Sequence, residues 1–169
     1  MRLSLALTAA GLIGLGAAGA AFAAVPSADK TFATKAAQGG LAEVQTGQLI
    51  QQRNASPQAK QFAQALVQDH SQANDQLQQI AQSKSLDLPQ QPSSDGRTEM
   101  KKMQGMSGAQ LDKEFARHEV QDHKKDIAMF EQEAKSGKDP ELKDFAQKTL
   151  PVLRKHLQMA QALQSGTQQ

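Results

Sequence analysis

The chain has 169 residues, of which 38% are hydrophobic and only 4% aromatic, with no Trp, Tyr or Cys. That length allows one domain, alone or behind a targeting segment. The scarcity of aromatics excludes a membrane barrel with aromatic girdles, and the absence of Cys excludes disulfides, iron–sulfur clusters and zinc–thiolate sites. A net charge of +2 with interspersed signs gives no indication of a nucleic-acid surface.

The N-terminus reads as an export signal. Arg2 precedes an apolar run from Leu3 to Ala23, and Ala21-Phe22-Ala23 offers small residues where a signal peptidase reads them. Cleavage is expected after Ala23, giving a signal peptide over 1–23. An uncleaved anchor is the competing reading, since the run approaches the ~20 residues that span a bilayer. The Ala-x-Ala site and the polar segment behind it favour cleavage. No Cys follows the run, so a lipoprotein is excluded. The expected compartment is the periplasm, with no membrane span left in the mature chain.

Residues 24–30 form a short lead, and 31–164 read as one helical domain. The first long helix is predicted over Thr31–Arg53, in a chain dominated by Ala and Gln, which favour helices. Ser56-Pro57 supplies a cap and a first-turn proline for the second, which runs to Ser83. Pro89, Pro92, Ser93, Ser94 and Gly96 mark a loop, with room for a short helix near Arg97–Gln104. Ser107 with Gln110 three residues on reads as a capping box opening the third long helix, to Lys135. Gly137 reads as its left-handed C-cap residue. Asp139-Pro140 opens the fourth, which runs to Gln164 with Pro151 inside it as an expected kink. Residues 165–169 are expected to be a disordered tail. The predicted fold class is all-α, a four-helix bundle. Short links make the first and last helix pairs antiparallel. The link between the second and third long helices is long enough to travel the length of a helix, so a ferritin-like crossover and a simple up-down-up-down order are both compatible.

The chain repeats itself. Phe62-Ala63-x-x-x-Val67-Gln68-Asp69-His70 recurs as Phe115-Ala116-x-x-x-Val120-Gln121-Asp122-His123, and Phe32-Ala33 and Phe145-Ala146 open the other two helices. His70 and His123 stand eight residues beyond their Phe; Glu43 and His156 stand eleven beyond theirs. Eight and eleven differ by about one turn and so share a face. Each of the four lies in an apolar stripe with steps of three and four, which marks the core seam. All four lie near the middle of their helices, so Glu43, His70, His123 and His156 are expected to converge at one level of the core. Gly40 and Gly47 are expected to leave them room.

Three imidazoles and a carboxylate suit a divalent transition metal (iron, zinc, copper or manganese), and bundle cores are where helical proteins build such sites. Asp69 and Asp122 point away from their own neighbouring histidines but can orient a histidine on another helix. Glu119, four residues before His123, lies on its face and is a further donor. His118 lies off the seam and reads as solvated or as a group that orients one of the ligands. Phe32, Phe62, Phe115 and Phe145 read as core, and Met100, Met103 and Met106 as packing at the bundle end. No glycine-rich phosphate loop or nucleophile–base pair is present, so no nucleotide or organic cofactor is expected. Three functions remain: metal binding at this site, a redox metalloenzyme using it, and a metal-free interaction module working through its surface.

Phe-x-x-x-Ala-Ala-x-Gly-Gly-x-Ala-Glu at 32–43, Gln-Asp-His at 68–70 and 121–123, and Asp-Pro-Glu-Leu-Lys-x-Phe-Ala-x-Lys-Thr-Leu-Pro-x-Leu-x-x-His at 139–156 resemble the exported bacterial family catalogued as domain of unknown function 4142, sometimes labelled an outer-membrane protein. The resemblance covers about residues 30–163. It implies a ferritin-like fold with the long crossover, and no defined activity. The outer-membrane label has no counterpart in the residues, which show neither alternating strands nor a second hydrophobic span. One departure from di-iron proteins of that fold matters. Their Glu-x-x-His motif is absent, because Val67, Val120 and Leu153 stand three before the histidines. A mononuclear, histidine-rich site is the expectation.

Overall fold

The structure is a computed structural model that describes residues 24–167. The expected signal peptide therefore lies outside the described residues. Among those residues the chain is all-helical: α1 (Ser27–Gln52), α2 (Pro57–Ser83), α3 (Ser94–Gln104), α4 (Gly108–Ser136) and α5 (Pro140–Gly166). None of these helices is long and apolar enough to cross a membrane.

The caps explain most boundaries and correct some. Ser56 caps α2 by accepting the Ala59 N–H at 3.2 Å, and Asp139 caps α5 by accepting those of Glu141 and Leu142 at 3.1 Å. Ser93 does the same for α3, accepting from Gly96. Ser107 makes no such bond. Gly108, at φ +57°, instead turns its N–H onto the Asn54 carbonyl at 2.5 Å, so α4 opens on a contact between turns rather than on a capping box. Gly137 is not left-handed; its φ is −53°. Its requirement is space, because a Cβ there would meet the Glu133 carbonyl at 2.7 Å. α1 begins four residues earlier than the sequence suggests and takes in Asp29. That carboxylate is 1% exposed and accepts the N–H groups of Lys138 (2.8 Å) and Asp139 (2.5 Å) across the chain. α5 continues through Pro151, whose ring lies on the exposed face.

The same contacts fix the directions. The start of α1 meets the α4–α5 turn, and the α1–α2 turn meets the start of α4, where Asp112 accepts the Ser56 N–H at 3.1 Å. The end of α2 meets the start of α5, where Lys84 pairs with Asp139 at 2.9 Å. Hence α1 and α5 run one way, α2 and α4 the other. Residues 84–107, with α3, travel the length of the long helices and pack on α1 and α4.

The core is two apolar clusters rather than one. Phe32, Phe130 and Phe145 gather Leu77, Leu142 and Leu153 at one end, with Phe32 and Phe130 ring centroids 4.9 Å apart. Phe62 and Phe115, 5.4 Å apart, gather Ile50, Leu66, Met103, Leu111 and Leu163 at the other. The four Phe expected in the core are there, and Met103 is fully buried. Between the clusters lies a polar layer.

Candidate metal centre

Each long helix sends a polar side chain into that layer: Glu43 from α1, His70 from α2, Glu119 and His123 from α4, and His156 from α5. All are buried, with Glu119, His123 and His156 at zero exposure. They are there because three- and four-residue spacing carries the apolar stripe straight through them.

The three histidines meet. Their ring centroids are 5.3 Å (His70–His156), 5.4 Å (His123–His156) and 5.8 Å (His70–His123) apart. One ring nitrogen from each lies within 4.8 Å of the other two. The outward-facing nitrogens explain how two rings are held. His123 Nδ1–H donates to the Glu119 carbonyl one turn back at 3.1 Å, and His156 Nε2–H donates to Asp69 Oδ2 at 2.9 Å. These bonds set the tautomers, leaving a lone pair on His123 Nε2 and on His156 Nδ1. Those two atoms and His70 Nε2 are buried and have no hydrogen-bond partner. Burial holds His70 well below the usual imidazole range, with the neighbouring imidazoles adding to it. Burial also brings His156 down to about 4, against the opposing pull of Asp69. Neutral rings with free lone pairs are what metal ligation requires.

Glu43 falls differently from expectation. Its carboxylate groups with Glu119 and His123, not with His70 and His156. The layer thus holds two triads that share His123. Glu43 Oε2 and both Glu119 oxygens are buried without a hydrogen-bond partner. Burial raises Glu43 well above the carboxylate range, with the charge of Glu119 adding to it. Burial pushes Glu119 up to about 8. Both carboxyls are thereby biased toward the neutral, protonated form.

Asp69 does orient a histidine on another helix. Asp122 does not: it is half-buried and faces a groove under α3 with His118. Gly40 and Gly47 make room for something other than the site. A Cβ at Gly47 would meet the Ala63 carbonyl and Val67 Cγ2, both at 2.8 Å, and one at Gly40 would meet the Asn74 side chain. Their role is the close approach of α1 to α2. Asp126 was not anticipated. It stands three residues beyond His123, on the same face, and that spacing is the signal that pointed to it. Burial pushes its carboxyl up to about 7. The missing Glu-x-x-His motif therefore does not leave the core without carboxylates; they come from i−4 and i+3 around His123 and from α1.

Fold and site together define a class: an all-α protein with a buried imidazole and carboxylate layer. The chain belongs to the family described as Domain of unknown function (DUF4142), which matches residues 15–163. Among solved structures it is similar to the crystal structure of a DUF305 fragment from Deinococcus radiodurans, with a TM-score of 0.75 at 11% identity, covering 85% of this chain and 99% of that one. That likeness is one of fold. No curated protein matches the sequence.

Proposed function

We propose that the chain is an exported periplasmic four-helix bundle, ferritin-like in its crossover, that binds one divalent transition metal ion through His70, His123 and His156. The observation that carries this reading is the set of three buried ring nitrogens without partners. A hydrogen-bond network built for structure would have satisfied them, because an orphaned buried polar atom costs ~1–3 kcal/mol. Imidazole donors suit zinc, copper, iron or nickel. Glu43 and Glu119 stand beside His123 as further oxygen donors or as holders of a proton.

The test is elemental mass spectrometry on protein exported to the periplasm and purified without chelator or affinity tag, beside His70→Ala/His123→Ala. Near-stoichiometric metal that the double variant lacks is the expected result. No metal in either, even after reconstitution, would return the function to the helix surfaces. One feature favours redox enzymology at the same site: three protein ligands leave a coordination position open. Turnover of superoxide or peroxide that survives His123→Ala would refute that second reading.

A further inference from the structure

The histidine layer has no open path to solvent, since its three rings are at most 6% exposed. A metal ion must therefore pass a wall. Two surface grooves approach the layer. The larger, about 680 Å³, lies beneath α3 between α1 and α4; the smaller, about 180 Å³, lies on the α1–α2 face. A small cavity of about 20 Å³, large enough for one water-sized group, touches His70. Asp126 lines both this cavity and the large groove, whereas Asn74 lines both the cavity and the small one. The two walls differ in chemistry. Asp126 has Asp122 beside it on the groove side, where Asp95 and Glu99 are offset by Lys35, Arg117 and Lys125, and the buried carboxyls of Glu43 and Glu119 in the layer behind it. Asn74 offers a neutral amide whose side chain packs against Gly40, and the small groove's own carboxylate, Asp75, does not line the cavity. At Gly39 the helix covering Asp126 has no side chain, and a Cβ there would stand 3.7 Å from Asp126 Oδ2.

We propose that the groove under α3 is the access route for the metal, with Asp126 as the carboxylate that strips a hydrated divalent cation from solvent and passes it to the histidines. The inference rests on the metal-binding reading above. A carboxylate relay suits a hard or borderline divalent ion and disfavours Cu(I), which prefers soft donors.

Gly39→Leu plugs the groove without touching a ligand. The Cβ contact is an ordinary one, and leucine favours the helix over glycine. Gln78→Trp plugs the small groove and serves as its counterpart. Apoprotein is mixed with Co²⁺ alone, and the visible absorbance of the bound ion is followed to equilibrium. Expected is uptake slowed at least tenfold in Gly39→Leu, with the final stoichiometry unchanged, slower uptake again in Asp126→Asn, and wild-type rates in Gln78→Trp. Wild-type uptake rates in Gly39→Leu, or slowing confined to Gln78→Trp, would overturn the route while leaving the site intact. A wild-type chain that takes up no Co²⁺ at equilibrium would overturn both the route and the metal reading.

Discussion

Replacing His70 by Leu should stabilise the metal-free protein while weakening the response to metal. His70 is 6% exposed, and its Nε2 has no partner. Burial keeps the ring neutral, so no ion pair is lost with it. The cost of that orphaned nitrogen, about 1–3 kcal/mol, is recovered when an apolar side chain of similar volume takes its place. The adjacent cavity of about 20 Å³, lined by Leu77, Phe130, Phe145 and Leu153 among others, accommodates the change of shape. At ~3 °C per kcal/mol for a domain of this size, Tm of the apoprotein should rise by about 3–9 °C. Metal at a hundred times its Kd should raise the wild type by about 2.7 kcal/mol, or ~8 °C, and the His70→Leu protein by much less. Thermal unfolding followed by far-UV circular dichroism, with chelator and with Zn²⁺, reads both shifts. A metal-free His70→Leu protein less stable than wild type by about 2 kcal/mol or more would show that the imidazole makes a structural bond, and would refute the reasoning.

Other expectations follow from single contacts. Asp69→Asn removes the carboxylate that holds His156 and should weaken metal affinity by about 10–100-fold with little change in apoprotein Tm, measured by competition with a chelating dye. Gly47→Ala gains ~1 kcal/mol of helix propensity but drives a Cβ into the α2 backbone, an overpacking that costs about 1–3 kcal/mol, so urea unfolding should show a net loss of up to ~2 kcal/mol and no gain. Glu133 is pushed up to about 7 by burial and by the neighbouring Asp29 and Asp139, from an ordinary value of 4.5. Between those two values the folded state keeps a proton that the unfolded state has released, so this group's contribution to stability should fall as pH rises through the window. Glu133→Gln should flatten that slope in unfolding measured from about pH 4 to about pH 8.

Much of the layer was legible because it rests on local periodicity. The step of three and four residues that puts Leu66 and Leu77 in the core also puts His70 there, and the sequence states it without help from tertiary contacts. What was not legible depends on another part of the chain. Asp29 looks like an exposed first-turn acid until the α4–α5 turn supplies two N–H groups to it, and only then does α1 extend back to Ser27. Gly47 reads as room for Glu43 until α2 is placed against it. Ser107 reads as a cap because the local motif is right, but the Asn54 carbonyl competes for the start of α4 and wins.

The directions of the helices were present in the sequence in a form that needs the structure to decode. His70 and His123 stand eight residues past their Phe, Glu43 and His156 eleven. If every helix carries its Phe at its start, helices running the same way place their Phe at the same end and reach a common level after the same number of residues. The two offsets therefore sort the helices into two parallel pairs, α2 with α4 and α1 with α5. An up-down-up-down order would pair the first long helix with the third instead. The same arithmetic explains the divided core: Phe62 and Phe115 build one apolar end, Phe32 and Phe145 the other, and the polar groups fall between them. Continuous apolar packing across that middle would have been the more stable choice for a protein with no use for the layer. The chain gives up that stability on all four long helices at once, at positions set by a repeated count. That coordinated loss, more than any single histidine, is what the metal reading accounts for.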